Sequence, residues 1–296
     1  MSNAPAPGSP EWQRLMTASK VAAVLGLSPW QSPRSLWHQM RGELPRDEGN
    51  NATRRGQYLE AGVLAWFADR HDADLEWAKW EEQAYRVHPE NPWAAATLDA
   101  LGEDEHGNVA AVEIKTAASS DDWGQPGTDE IPAYYAAQVM WQMWVAGADI
   151  AYVAVLFGRP RLDFAEYVVQ RDDALIAAIV DKCRAFYDSL TSDVPPPLDD
   201  TVATYEAMRR LHPDIDRDTA VELTEDEARA FTVSKGQLDL WDAEHRAAKS
   251  ALLERMGRAQ KATCGGQVIA RRQPNKYGVS LVAVAKSLTT ESEAVA

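Results

Sequence analysis

Val194-Pro195-Pro196-Pro197 is the strongest constraint on how this 296-residue chain can fold. Proline has no N–H, and its ring clashes with the preceding helical turn, so neither a helix nor a central strand runs through three in succession. The run therefore predicts a main domain over residues 11–194 and a mainly helical extension over 198–286. Residues 1–10 and 287–296 read as disordered ends. The chain is 45% hydrophobic and holds 11 tryptophans, enough to fill a core in the larger part. No run approaches the roughly 18 apolar residues of a membrane span. The start has neither a basic nor an apolar leader segment. A cytoplasmic protein with no membrane partner is the expectation.

Local patterning gives the main domain alternating element types. Thr17-Ala18-Ser19 can cap a helix ending near Gly26, and Ser32-Pro33 starts a second one over 33–42. Leu59, Val63, Trp66 and Phe67 recur at helical spacing within 56–70. Residues 93–100 and 108–116 read as strands joined by a polar segment ending in Gly107, a hairpin signal. A helix over 134–146, a β-branched buried strand over 150–157, a strand over 162–169 and a helix over 174–190 follow. Beyond the prolines a long helix over about 232–261 is predicted, ended by Gly265-Gly266 and followed by a short strand over 267–272. The fold class is thus α/β (α+β): a mixed central sheet flanked by helices, with a helical C-terminal extension.

Charge is unevenly spread. The chain carries a formal −15, yet residues 246–286 hold nine basic side chains against Glu254 alone. This basic arm suits either DNA or the acidic body of the same or a neighbouring subunit. Cys183 and Cys264 form no CxxC pair, which argues against a disulfide framework, a structural zinc or an iron–sulfur cluster.

The sharpest chemical signal is Asp99 followed across the hairpin by Glu113-Ile114-Lys115. Residues i and i+2 of a strand share a face, so Glu113 and Lys115 emerge together, and Asp99 can face them from the neighbouring strand. Carboxylate oxygens suit a hard cation such as Mg²⁺, with the Ile114 carbonyl as a further ligand. Such an ion stabilises charge on a phosphate and acidifies a bound water, and Lys115 would hold that water or a phosphate oxygen. The bare spacing also fits a surface salt bridge. The apolar setting of Glu113 favours the site, because a buried carboxylate needs a partner. Glu60, at the edge of its helix's apolar stripe, either points at the sheet or lies on a solvated flank. Gln138 and Gln142 form a polar stripe that either donates to phosphate oxygens or faces solvent.

Four blocks resemble the phage-type alkaline exonucleases of the YqaJ and lambda-exonuclease group, within the PD-(D/E)XK nuclease superfamily. They are LMTASKVAAVLGLSPWQSPRSLW, RRGQYLEAGVLAWF, ATLDALGEDEHGNVAAVEIKT and AYYAAQVMWQMWVAG. Leu98 stands where the nominal motif has proline, outside the chemistry. The resemblance implies metal ligation by Asp99, Glu113 and the Ile114 carbonyl, Lys115 as the catalytic lysine and Glu60 near the metals. It also implies Ser19, Gln138 and Thr97 as phosphate contacts, with Arg14 a candidate for gripping the 5′-phosphate although its spacing to Ser19 is short.

The activity so implied is Mg²⁺- or Mn²⁺-dependent hydrolysis of linear double-stranded DNA. It runs 5′ to 3′ and leaves 3′ single strands for a single-strand annealing protein in phage-type recombination. A ring-shaped homotrimer around DNA, in the cytoplasm of a bacterial host, is implied with it. Trp30 or Trp123 would serve as a wedge at the duplex end or as a loop anchor. The rivals are an endonuclease or repair nuclease on the same core, and a non-catalytic DNA-binding recombination factor working through the basic arm. There is no GxxxxGK[ST] loop for an ATP-driven motor.

Overall fold

The computed structural model describes residues 5, 9–45, 49–104, 106–159, 162–276 and 278–283, with the side chains of 72–75 and 78 left aside. The expected disorder of 287–296, and most of that of 1–10, falls outside these residues. Two compact units divide at Ile215, residues 1–215 and 216–296.

In the first unit, α1 (Pro10–Arg14) is capped by Ser9 and leads into β1 (Met16–Thr17) and α2 (Ala18–Val24). Ser32 caps α3 (Pro33–Met40) with proline in its first turn, as the sequence predicts. Helix α4 (Asn51–Leu75) is longer than its apolar stripe suggests. The Asn50 side chain accepts from the N–H groups of Ala52 and Thr53, which carries the helix back into the expected loop.

Strand β2 (Glu81–Val87) escapes detection in the sequence because most of its side chains are exposed or half-exposed and only Ala84 is buried. The hairpin of β3 (Ala94–Glu103) and β4 (Val109–Ala117) forms as predicted. Helix α5 (Ala133–Ala146), β5 (Ile150–Phe157), β6 (Asp163–Gln170) and α6 (Asp173–Ser189) complete the alternation.

The sheet runs β1-β3-β4-β5-β6, with β2 on β3. It is mixed: β4 and β5 are parallel, β3 with β4 and β5 with β6 antiparallel. The apolar run of β5 explains itself here, because both of its faces are covered. Ala151, Val153 and Val155 join the core formed with α2, α3, α5 and α6. Ile150 and Ala154 join a second core with Val63, Leu64 and Phe67 of α4. Each fully buried valine or leucine of this kind is worth about 1.5–3 kcal/mol.

The first unit extends past the proline run. Helix α7 (Val202–Leu211) sits against α3, where the Thr204 hydroxyl meets the Ser32 hydroxyl at 2.6 Å, and Arg34 Nη1 donates to the Pro196 carbonyl at 2.8 Å. The prolines cross a surface without ending the compact body.

The second unit contains α8 (Glu225–Met256) and an antiparallel sheet of β7 (Lys261–Cys264), β8 (Gln267–Asn275) and β9 (Gly278–Ala283). The extension is therefore less purely helical than expected. Gly257 ends α8, while Gly265 and Gly266, both at positive φ, form the turn between β7 and β8. Paired positive φ is what a tight hairpin turn requires.

Candidate active site

Strand β3 is paired differently at its two edges. Strand β2 holds one edge from Ala95 to Leu101. The other edge is shared: β1 pairs with Ala94 and Ala95, and β4 with Ala100 through Glu103. Among the described residues no strand pairs with 96–99 on that second edge. Asp99 stands at the mouth of the gap, and its Oδ2 accepts from the Ile114 N–H at 2.6 Å. The carboxylate thus takes the place of a missing ladder acceptor and is fixed against β4.

Glu113 is 5% exposed and is held on three sides. Gln138 Nε2 donates to Oε1 at 2.6 Å, Gln142 Nε2 to Oε2 at 2.6 Å, and the Lys115 ammonium also contacts Oε1. The (i, i+4) spacing of the two glutamines on α5 delivers both amides to one carboxylate. Helix α5 therefore turns this stripe inward, correcting the solvent-facing alternative. Gln142 is 1% exposed, and its Nε2 also reaches the Thr97 carbonyl at 3.2 Å, so its amide is taken up inside the protein. A phosphate contact from Gln142 would need that tether broken. Gln138 is half-buried at the rim of the same cluster.

The electrostatics are those of a crowded anionic pocket. Burial pushes the Asp99 carboxyl well above the usual carboxylate range, and the neighbouring Glu113 charge adds to it, with a smaller push from Glu60. Lys115 and the Ile114 N–H oppose this shift. For Lys115 burial works against the charge, but Glu113 and Asp99 together outweigh it and hold the ammonium protonated above its ordinary range. Its Nζ also lies 4.9 Å from the centroid of the Tyr135 ring.

Two residues beside this cluster escape sequence reasoning. Tyr135 is one. The other is Gln83, whose Nε2 donates to Glu60 Oε1 at 2.8 Å. Gln83 has φ 53° inside β2, between residues paired with Ala100 and Leu98, and so stands opposite Asp99. Left-handed backbone at a non-glycine residue in a strand is costly and persists where the surroundings enforce it. Only a run too polar for a strand's alternation marks it in the sequence.

The remaining candidates scatter. Thr97 lies two residues before Asp99 on β3. Ser19 is exposed in the first turn of α2, its hydroxyl 3.3 Å from that of Thr17, on the wall of a cleft of about 590 Å³ with Trp12, Lys20 and Trp30. Arg14 lines a different depression, with Met40, Arg41 and Tyr187, so the structure does not bring it into the cleft of Ser19. Trp30 is 64% exposed and packs edge-on to Tyr134. Trp123 contacts Tyr135, Phe157 and Tyr167 and is an anchor of its loop, not a free wedge.

Among the described residues no three His, Cys, Asp or Glu side chains converge tightly enough to hold an ion by themselves. Asp99 and Glu113 do form a buried carboxylate pair whose mutual repulsion is relieved by a cation, and Ile114 follows Glu113 on β4 with its N–H on Asp99. That donor set fits Mg²⁺, which binds through one or two carboxylates and keeps several waters. Glu60 stands off, turned toward Gln83.

Residues 11–149 match the family model described as the YqaJ-like viral recombinase domain, which bears out the resemblance read from the sequence blocks. The uncharacterized protein YqaJ of Bacillus subtilis strain 168 is 29% identical over 212 residues, covering 70% of this chain and 63% of that protein. The chain thus spans less than two thirds of that relative's length. Among solved structures, an alkaline exonuclease, LHK-Exo, from Laribacter hongkongensis is 23% identical, with a TM-score of 0.49 over 61% of this chain and 90% of its own. A phage related exonuclease from Haemophilus somnus 129PT is 17% identical, with a TM-score of 0.44 over 60% and 96%. No helix among the described residues is long and apolar enough to cross a membrane.

Proposed function

We propose that this chain, in which residues 11–149 match the YqaJ-like viral recombinase domain, is a Mg²⁺-dependent deoxyribonuclease built on a PD-(D/E)XK core. Its substrate is the end of linear double-stranded DNA, which it digests 5′ to 3′, leaving 3′ single strands for an annealing protein. The observation that carries this reading is the convergence of Asp99, Glu113 and Lys115 in one buried cluster beside a gap in strand pairing.

Asp99, Glu113 and the Ile114 carbonyl would hold the metal. A divalent ion bound there, Mg²⁺ or Mn²⁺, supplies Lewis-acid stabilisation of phosphate charge and an acidified water. The protein's own groups do the rest. The glutamines of α5 each donate to one oxygen of Glu113 and so hold its carboxylate in one orientation. Lys115, kept cationic by its acidic neighbours, is placed to hold a phosphate oxygen or orient the attacking water. Glu60 flanks this cluster and adds negative charge beside Asp99. Ser19, with Lys20 in the adjoining cleft, and Gln138 at the rim are the groups that would meet the DNA backbone.

An endonuclease would use the same cluster. End-labelled linear and supercoiled DNA incubated with Mg²⁺, and with a chelator instead, separate the readings. Loss of linear DNA only, dependent on Mg²⁺ and abolished by Glu113→Ala or Lys115→Ala with unchanged circular dichroism, is the expected result. Equal attack on supercoiled circles would establish the endonuclease. Digestion at the normal rate by the Lys115→Ala protein would overturn the mechanism.

A further inference from the structure

The small sheet of the second unit sorts its cations onto two faces. In β8, Ala270 is the one buried residue, so the face it points to is the covered one. Arg272, two residues on, shares that face. Its Nη1 donates to the carbonyl of Gly257, the residue that ends α8. Arg271 points the other way. The ladders set Lys261 of β7 and Val282 of β9 directly opposite it, and Gln273 opposite Ser280 two residues further along β8. The register shift between β7 and β8 comes only after Ala262, so Lys261 and Arg271 form a regular cross-strand pair.

Two cations directly opposite on one face repel, with their Cβ atoms about 5 Å apart. Lys261 is exposed and Arg271 half-buried. Among the described residues neither makes an ion pair. The surrounding sequence offers no relief. Residues 255–290 hold seven cations and no carboxylate, while the rest of the chain carries all 45 carboxylates. An ordinary solvated surface intersperses both signs. A face cleared of one sign in so acidic a chain is arranged for an anion from outside it.

The kind of anion follows from the pair. Duplex DNA carries one charge for about every 1.7 Å of its axis, so two adjacent cations meet phosphates together. Separate carboxylates on a protein surface do not offer that density. Strands β7, β8 and β9 contain no aromatic residue, so stacking on bases is not available to them. What the face offers is cations and neutral donors, the groups that contact phosphate oxygens without reading sequence.

We propose that the Lys261–Arg271 face is a second DNA site, which grips the phosphate backbone of duplex DNA without regard to sequence and without needing a DNA end. Naming DNA among polyanions rests on the nuclease reading above.

The probe is a fluorescent DNA dumbbell, a duplex closed by a loop at each end, bound by the full chain in a chelator and followed by anisotropy over a range of salt. The dumbbell presents no end, and the chelator prevents cleavage. The wild type should bind it with an affinity that falls as salt rises. Lys261→Gln with Arg271→Gln should lower the slope of log affinity against log salt by about 2, at roughly 0.9 for each phosphate contact, and weaken binding about 10-fold at low salt. Arg271→Lys should keep the slope. Arg272→Gln, which removes a cation from the covered face, should also keep it, and a simple effect of net charge would not allow that.

A wild-type chain that does not bind the dumbbell, or an unchanged slope in the folded double variant, would overturn the proposal. So would an equal loss of slope in an Arg272→Gln protein that keeps its circular dichroism. Poly-glutamate competing as well as unlabelled dumbbell at equal charge would give the face to an acidic protein instead. A chain that grips the dumbbell through this face yet cuts no DNA would keep the proposal and discard the nuclease.

Discussion

Gln83 and Glu60 are joined across two elements: the amide on β2 donates to the carboxylate on α4 at 2.8 Å, from a backbone held at φ 53°. The contact lies beside Asp99, to which Glu60 adds a repulsive charge. Gln83 is thus placed to hold Glu60 at the edge of the pocket. Groups that orient metal-site carboxylates typically matter by about 10- to 100-fold in metal affinity. Gln83→Ala should weaken Mn²⁺ binding on that scale in calorimetry, and Gln83→Asn should not rescue it, because the shorter amide falls short of Glu60. Unchanged Mn²⁺ affinity in Gln83→Ala would reduce the contact to a surface hydrogen bond.

The Asp99 carboxyl sits against the Glu113 charge and is raised by burial and by that repulsion. A carboxyl raised in the folded state contributes stability that is full below its unfolded pKa and is lost as pH rises through the folded value. In a chelator, the wild type should therefore lose melting temperature relative to an Asp99→Asn variant as pH rises from acidic toward neutral. Asp99→Asn keeps an oxygen for the Ile114 N–H while removing the charge. It should melt higher than the wild type at neutral pH, by roughly 2–4 °C for each kcal/mol of repulsion relieved, and be inactive. A lower melting temperature for Asp99→Asn would show that the carboxylate pair is not repulsive.

The hairpin that carries Asp99 and Glu113 depends on one close approach. A Cβ on Gly102 would lie 2.3 Å from the Trp80 ring, which packs over the backbone at that point. Gly102→Ala should cost about 1–3 kcal/mol by overpacking, read as a lowered urea midpoint, and Trp80→Leu should recover part of the loss. A neutral Gly102→Ala would mean that Trp80 moves aside freely.

Cys183 is buried, and burial raises its thiol to about 12 from the ordinary 9.0. Below pH 9 it should resist alkylation by iodoacetamide while exposed Cys264 reacts. Because the folded value is the higher one, this thiol's contribution to stability is complete below pH 9 and is lost as pH climbs toward 12. Alkylation of Cys183 should appear only with alkaline or denaturant unfolding. Equal labelling of both thiols in the native protein at neutral pH would contradict its burial.

Elements whose side chains obey one strong period were legible in the sequence. Strand β5 reads as buried because it is covered on both faces, and α5 and the β3–β4 hairpin follow from their apolar spacing and polar turn. Strand β2 was not legible, because an edge strand with one buried alanine has no period to see. The reach of the first unit past the prolines was not legible either. It rests on α7 meeting α3, a contact between residues about 170 positions apart.

The site divides in the same way. Sequence by itself determined that Asp99, Glu113 and Lys115 can meet, because strand periodicity and hairpin geometry are local rules that fix which side chains share a face. Only tertiary structure decided that Gln138 and Gln142 turn inward onto Glu113, that Gln83 takes Glu60, and that Arg14 lies away from Ser19. Those outcomes depend on which face a helix or edge strand presents to the sheet. Packing over the whole core sets that choice, and no local spacing encodes it.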